Sequence, residues 1–138
     1  MSDYNDWNRK NIEEFRANAG KVGGRFTGKT LLLLHTVGAK SGQERVNPVV
    51  YVKDGERYVI VASKGGAPTH PHWYHNLVAH PLVTVEVGTE TFQAQAAVVS
   101  EPERTRLYEK MTEMLSSFAD YRQRTTRVIP VITLTRVN

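Results

Sequence analysis

A chain of 138 residues with 40% hydrophobic content is long enough for one compact domain with its own core, so residues 1–138 are expected to form a single unit. Its 18 Lys and Arg exceed its 14 Asp and Glu, and the net charge of +4 suits an anionic partner: a small cofactor, nucleic acid or a membrane surface. The absence of cysteine excludes disulfide frameworks, Cys-based zinc sites and thiol nucleophiles.

The opening residues lack the apolar run of a secretory signal. The longest aliphatic run, Leu31 to Leu34, falls far short of a membrane span, so a cytoplasmic location is expected. Residues 1–20 read as an N-terminal helix with Tyr4, Trp7, Ile12 and Phe15 on one side. Such a stripe usually packs on a core; the alternatives are a mobile segment or an interfacial helix that makes membrane contact.

After residue 30 the pattern is mainly that of strands. Leu31 to Val37 is a continuous apolar run of the kind buried on both faces. Val46 to Lys53 and Arg57 to Ala62 flank Asp54-Gly55, a two-residue hairpin signal. Pro48, near the start of that strand, removes a ladder donor and predicts a sheet edge or a bulge. Val83 to Val87 and Thr91 to Val99 alternate around Gly88-Thr89, and Val128 to Val137 closes the chain. The expected fold is mainly β (α+β): a six-stranded antiparallel split barrel or roll with three helices.

The two later helices have clear punctuation. Pro71 opens one that Pro81 ends after Ala79. Ser100 and Glu103 form a capping-box signal for a longer helix reaching Phe118, with Leu107, Met111, Met114, Leu115 and Phe118 on its core face.

Two segments present glycines, a hydroxyl and a cation at strand ends. In the first, Gly38 and Gly42 let the backbone turn around Ser41 while Lys40 and Arg45 supply permanent charge. The spacing matches neither a P-loop nor a dinucleotide fingerprint, and a solvated hairpin turn would have the same composition. In the second, Ala62-Ser63-Lys64-Gly65-Gly66 ends a strand in small residues that permit close approach, and Ser63 can donate through its NH or hydroxyl. His70, His72 and His75 invite a metal reading, but His70 precedes the helix and no acidic residue lies between Arg57 and Glu86, so no metal is expected. A helix start whose NH groups face an anion, with Trp73 beneath, competes with it. His35 and His80 read as structural.

Gly38 to Pro48, Val61 to Gly66, Pro71 to Leu77 and Asp120 to Pro130 together resemble the successive signatures of the deazaflavin-dependent nitroreductase family, from about Asp6 to the last strand. The resemblance implies a split β-barrel that binds reduced coenzyme F420 and reduces quinones, nitro compounds or other acceptors. It implies that Ala39, Lys40, Ser41, Gly42, Gln43, Glu44 and Arg45 grip the phosphate and acidic tail, and that Asn47 and Pro48 border the deazaflavin ring. Val61, Ala62, Ser63 and Lys64 would lie alongside that ring, with His72, Trp73 and Asn76 at the phosphate end.

The implied chemistry is hydride transfer, in which the cofactor does the difficult step and the protein supplies orientation. Tyr121 is the implied proton donor, with Ser63 as a second catalytic candidate, since phenols carry their proton at neutral pH. Leu115, Phe118 and Tyr121 would contact the acceptor. Members that act on bulky nitroaromatics carry further tyrosines where this chain has Leu115 and Phe118, and His72 replaces a Met of some relatives, so quinone reduction is the implied activity. A homodimer is also implied. The alternatives are an FMN-binding oxidoreductase, whose shorter ligand needs less positive charge, and a basic small barrel without enzymatic activity. Nucleic-acid binding is not expected, because the strands offer only Tyr51, Tyr58 and Phe92 as stacking surfaces.

Overall fold

The computed structural model describes residues 3–23 and 30–137, with side chains from residue 8 onward. Seven strands form one antiparallel sheet: β1 (Leu31–Val37), β2 (Glu44–Val50), β3 (Val52–Asp54), β4 (Arg57–Val61), β5 (Leu82–Val87), β6 (Glu90–Val98) and β7 (Val131–Val137). Their spatial order is β2-β1-β5-β6-β7-β4-β3. Four helices accompany them: α1 (Asp3–Ala17), α2 (His72–Ala79), α3 (Glu103–Met114) and α4 (Ser117–Arg124). The antiparallel α+β class is as expected, but the count is seven strands in an unclosed sheet, not six in a barrel.

The extra strand arises at Tyr51. The expected strand Val46 to Lys53 divides there into β2 and β3, the two opposite edges of the sheet. Six inter-strand gaps of about 4.8 Å would separate flat edges by about 29 Å, whereas one intervening residue allows no more than about 7 Å between Val50 and Val52. The sheet is therefore rolled until its edges meet at one corner, while the rest of the seam stays unladdered.

Packing explains the apolar runs. Leu32 and Leu34 are buried with Ile60, Val85 and Leu134 inside the roll, and Leu31 and Leu33 are buried on the other face with Phe15 of α1. The uninterrupted leucine run thus serves two cores. Phe15 and Ile12 pack on this second cluster, so that side of α1 is committed to the domain, while Tyr4 and Trp7 lie outside the described side chains. Among the described residues no helix is long and apolar enough to cross a membrane.

Three local expectations change. Asp54 pairs with Arg57, which moves the β3–β4 turn to Gly55-Glu56. Its carboxylate also accepts from Arg106 and Lys110, and these cations, Arg106 foremost, hold it well below the usual carboxylate range. The long helix begins at Glu103 after Pro102, with no side-chain cap from Ser100; instead Glu101 accepts from the Thr105 N–H at 2.9 Å. It also breaks at Leu115, which is extended, and Tyr108 anchors the turn by donating to the Phe118 carbonyl at 2.5 Å. The break takes Met114 out of the expected stripe, leaving it 41% exposed.

Gly66, at the end of a 3₁₀ turn (Lys64–Gly66), locks α4 to the strand end. Its φ is +82°, and a Cβ there would lie 2.9 Å from the Tyr121 carbonyl and from Arg124 Cβ. Gly66→Ala should cost roughly 2–4 kcal/mol in urea unfolding, combining a left-handed backbone with overpacking. Gly42→Ala, at φ +72° with open space around it, should lose only ~1–2 kcal/mol.

Candidate functional site

A cleft of about 1520 Å³ occupies the unladdered side of the roll. Alternate residues of a strand face opposite ways, yet all seven residues of β2, Glu44 to Val50, line this cleft. The cleft therefore follows the open edge of β2, for about 20 Å at strand spacing, and not one face of the sheet. Pro48 sits in that edge strand as expected, but the β1–β2 register runs unbroken from Leu31↔Val50 to Val37↔Glu44, so the alternative of a bulge is not realised.

At the β1–β2 loop, Gly38 N–H donates to the Gln43 carbonyl at 2.8 Å and Gly42 N–H to the Gly38 carbonyl at 2.9 Å. The Ser41 hydroxyl accepts from Gln43 N–H at 3.2 Å. Asn76 of α2 fixes this loop from outside: its Oδ1 accepts from Ala39 N–H at 3.0 Å and its Nδ2 donates to Thr36 at 3.1 Å. Both ends of the amide are engaged, so Asn76 supports the loop in addition to lining the cleft. Lys40 and Arg45 are exposed and, among the described residues, have no carboxylate partner. Glu44 instead faces His35 Nδ1 at 3.3 Å.

Val61, Ser63 and Lys64 form the next wall. Ala62 does not reach it; its side chain is fully buried in the inner core. Gly42 and Gln43 stay in the turn outside the cleft lining, whereas Ala39, Lys40, Ser41, His72 and Trp73 line it. Behind this wall Arg127 donates to the carbonyls of Ala62 at 3.1 Å, Ser63 at 2.6 Å and Ala67 at 2.9 Å. It also donates to His70 Nδ1 at 2.8 Å, and burial, with Arg127 beside it, pushes the His70 pKa down, keeping the ring neutral as an acceptor. Leu115, Phe118 and Tyr121 complete the lining, the last two in edge-to-face contact at 5.1 Å.

A family model for the F420H(2)-dependent quinone reductases matches residues 7–136. The chain belongs to that family. It is 44% identical to the F420H(2)-dependent quinone reductase Rv1261c of Mycobacterium tuberculosis, over 88% of this chain and 85% of the relative. Among solved structures, the F420-H2 dependent reductase FDR-A is 37% identical with a TM-score of 0.69, covering 75% of this chain and 92% of that one. A domain-swapped dimer is 33% identical with a TM-score of 0.72, over 95% and 98%. The haem-storage protein HutZ of Vibrio cholerae, at 20% identity and a TM-score of 0.62, shares the fold alone.

As a member of the F420H(2)-dependent quinone reductase family the chain is an oxidoreductase whose cofactor is coenzyme F420. The residues present fit an anionic group: unpaired Lys40 and Arg45 stand at one wall, and no metal-ligand cluster occurs among the described residues.

Two contributors were missed by reading the sequence. Asn8, Arg9, Ile12, Glu13 and Arg16 of α1 line the cleft, yet their helix read only as a stripe packing on a core, a mobile segment or an interfacial helix. Arg16 donates to both Glu86 oxygens, at 3.1 and 2.7 Å, and Glu86 Oε2 lies 2.6 Å from His35 Nε2. Arg127 lay within a quoted motif, but nothing in its spacing tells that it reaches across the chain to residues 62–70.

The hydrogen bond from Arg16, then that from His35, holds the Glu86 carboxyl below its ordinary value of 4.5. A depressed carboxylate contributes stability above that value, which is lost as pH falls through the folded pKa. Unfolding midpoints of wild type and Glu86→Gln should therefore differ at pH 7 and converge in acid; a constant gap would mean Glu86 acts through packing alone. Asn76→Leu should leave Ala39 N–H without its acceptor at a cost of ~1–3 kcal/mol, read as faster hydrogen exchange at Ala39.

Proposed function

We propose that this chain reduces quinones with reduced coenzyme F420 bound along the open edge of β2. The observation that carries the reading is the union, in one cleft, of two unpaired cations, Lys40 and Arg45, with an apolar wall of Leu115 and Phe118 beside Tyr121. Lys40 and Arg45, with His72 and Trp73 at the start of α2, would hold the phosphate and the acidic tail. Asn47, Pro48, Val61, Ser63 and Lys64 would hold the planar ring, and the small backbone at Ser63 to Gly66 allows close approach.

Bound in this cleft, the reduced cofactor supplies the hydride. The chain itself supplies orientation and exclusion of water: strand edges and buried side chains make stiff walls that fix a planar ligand against an acceptor. Leu115 and Phe118 give the acceptor an apolar surface. Tyr121, half-buried at the cleft, holds a phenolic proton within the same wall and is the proposed donor to the reduced acceptor, with Ser63 as the second polar group in reach of the ring. The proposed assembly is a homodimer, supported by the domain-swapped dimer among the similar structures.

Titration of the purified protein with reduced coenzyme F420 and with reduced FMN, followed by menadione, tests the reading. Binding of the deazaflavin with turnover is expected; affinity for FMN only, or for neither, would overturn it. The double variant Lys40→Ala, Arg45→Ala should lose several kcal/mol of cofactor affinity, because charge-assisted contacts are each worth ~1.5–3 kcal/mol. Tyr121→Phe should lower menadione turnover while leaving cofactor affinity intact.

A further inference from the structure

Arg127 is a half-buried cation without a carboxylate partner among the described residues, and burial pushes its pKa down. Its charge is met by three carbonyl oxygens and one neutral imidazole, all on the segment from Ala62 to His70. Burying a guanidinium against dipoles alone is an expensive way to close a loop. A fork of five rigid donors is, however, suited to holding several carbonyls in fixed directions at once.

The directions matter because a trans peptide points its carbonyl and its N–H opposite ways. The carbonyls of Ala62 and Ser63 both point at Arg127, so the N–H groups of Ser63 and Lys64 point away from it. Neither N–H has an acceptor among the described residues. The backbone here is right-handed at Ser63, with φ −78° and ψ −38°, and left-handed at Lys64, with φ +50°. A right-handed residue followed by a left-handed one forms a nest, in which successive N–H groups converge on one point and attract a negative atom. Lysine rarely adopts positive φ, and such conformers persist where surrounding structure enforces them. Ser63 and Lys64 also line the cleft.

We infer that Arg127 is a positioning residue: by clamping the carbonyls of Ala62, Ser63 and Ala67 it turns the Ser63 and Lys64 N–H groups into a two-donor anchor for an electron-rich oxygen or nitrogen of the bound ring. The inference rests on the proposed seat of coenzyme F420 and adds to it the residue that shapes the contact. Arg127 touches neither ring nor acceptor. Its action passes through the peptide groups in front of it, and its uncompensated charge polarises both of them in the same sense.

The test compares wild type, Arg127→Met and Arg127→Lys by two readouts, amide NMR spectra and fluorescence titration with reduced coenzyme F420. In the free wild-type protein the Ser63 and Lys64 amides should be among those that shift on adding cofactor. In Arg127→Met their free-state resonances should already be displaced while those of Ala39 and Val85 keep their positions. Cofactor Kd should rise roughly 10- to 100-fold, as when outer supports of a site are removed, and KM for menadione should stay near the wild-type value. Arg127→Lys, which retains charge but not the fork, should recover only part of the affinity, and it provides the comparison should the methionine variant fail to fold. An unchanged Kd in either folded variant, or amides of Ser63 and Lys64 that ignore both the substitution and the cofactor, would overturn the inference. A wild-type protein that binds no coenzyme F420 would overturn the proposed function as well, whereas binding by wild type and variants alike sinks this inference alone.

Discussion

The molecule depends on a sheet that is rolled but not closed. Joining β2 to β3 through Tyr51 alone forces the two edge strands to one corner, and an antiparallel sheet of this length has no other way to place its edges so near. An open edge exposes unpaired backbone groups, which most proteins cover or charge. Here the edge of β2 faces a cleft, bounded by α1, the start of α2, the 3₁₀ turn after β4, and α4. The cleft is thus the place where a barrel would have sealed.

Three polar anchors keep that cleft in shape, and each ties a loop to a rigid element. Asn76 on α2 holds the β1–β2 loop through Ala39, and Arg127 holds the turn after β4 through its carbonyls. The Arg16–Glu86–His35 chain holds α1 over the sheet. The Asn76, Arg127 and His35–Glu86 contacts are partly shielded from water, where hydrogen bonds keep more of their strength than on a bare surface, while the Arg16–Glu86 pair is exposed. Lys40 and Arg45, which line the cleft and are proposed to face the cofactor, belong to none of these anchors. The cations of the anchors are engaged within the protein while Lys40 and Arg45 are left exposed, which is how a chain of modest net charge can still present a cationic wall.

Much of this was legible in the sequence where local signals decide the outcome. The leucine run of β1 announced burial on both faces, Pro48 announced an edge, and Pro71 and Pro81 bounded α2 within a residue. The split of the second strand at Tyr51 was hidden because Val50, Tyr51 and Val52 are all good strand residues, and only tertiary rolling makes them turn. The break between α3 and α4 was hidden for a related reason: Leu115-Ser116-Ser117 holds neither Gly nor Pro, and the kink is fixed by Tyr108 reaching the Phe118 carbonyl. Of the residues that line the cleft, those next to glycines were singled out by the sequence. Arg127 and the α1 residues were not, because their partners lie between 57 and 70 positions away in sequence and no spacing rule links them.

A crystal structure of the protein with reduced coenzyme F420 tests the central claim most directly. The account expects the deazaflavin ring along the edge of β2, between Asn47-Pro48 and Val61-Ser63-Lys64, with the phosphate beside Lys40 and Arg45. A cofactor seated on the outer face of β5 and β6, or inside the roll among Leu32, Ile60 and Leu134, would contradict it.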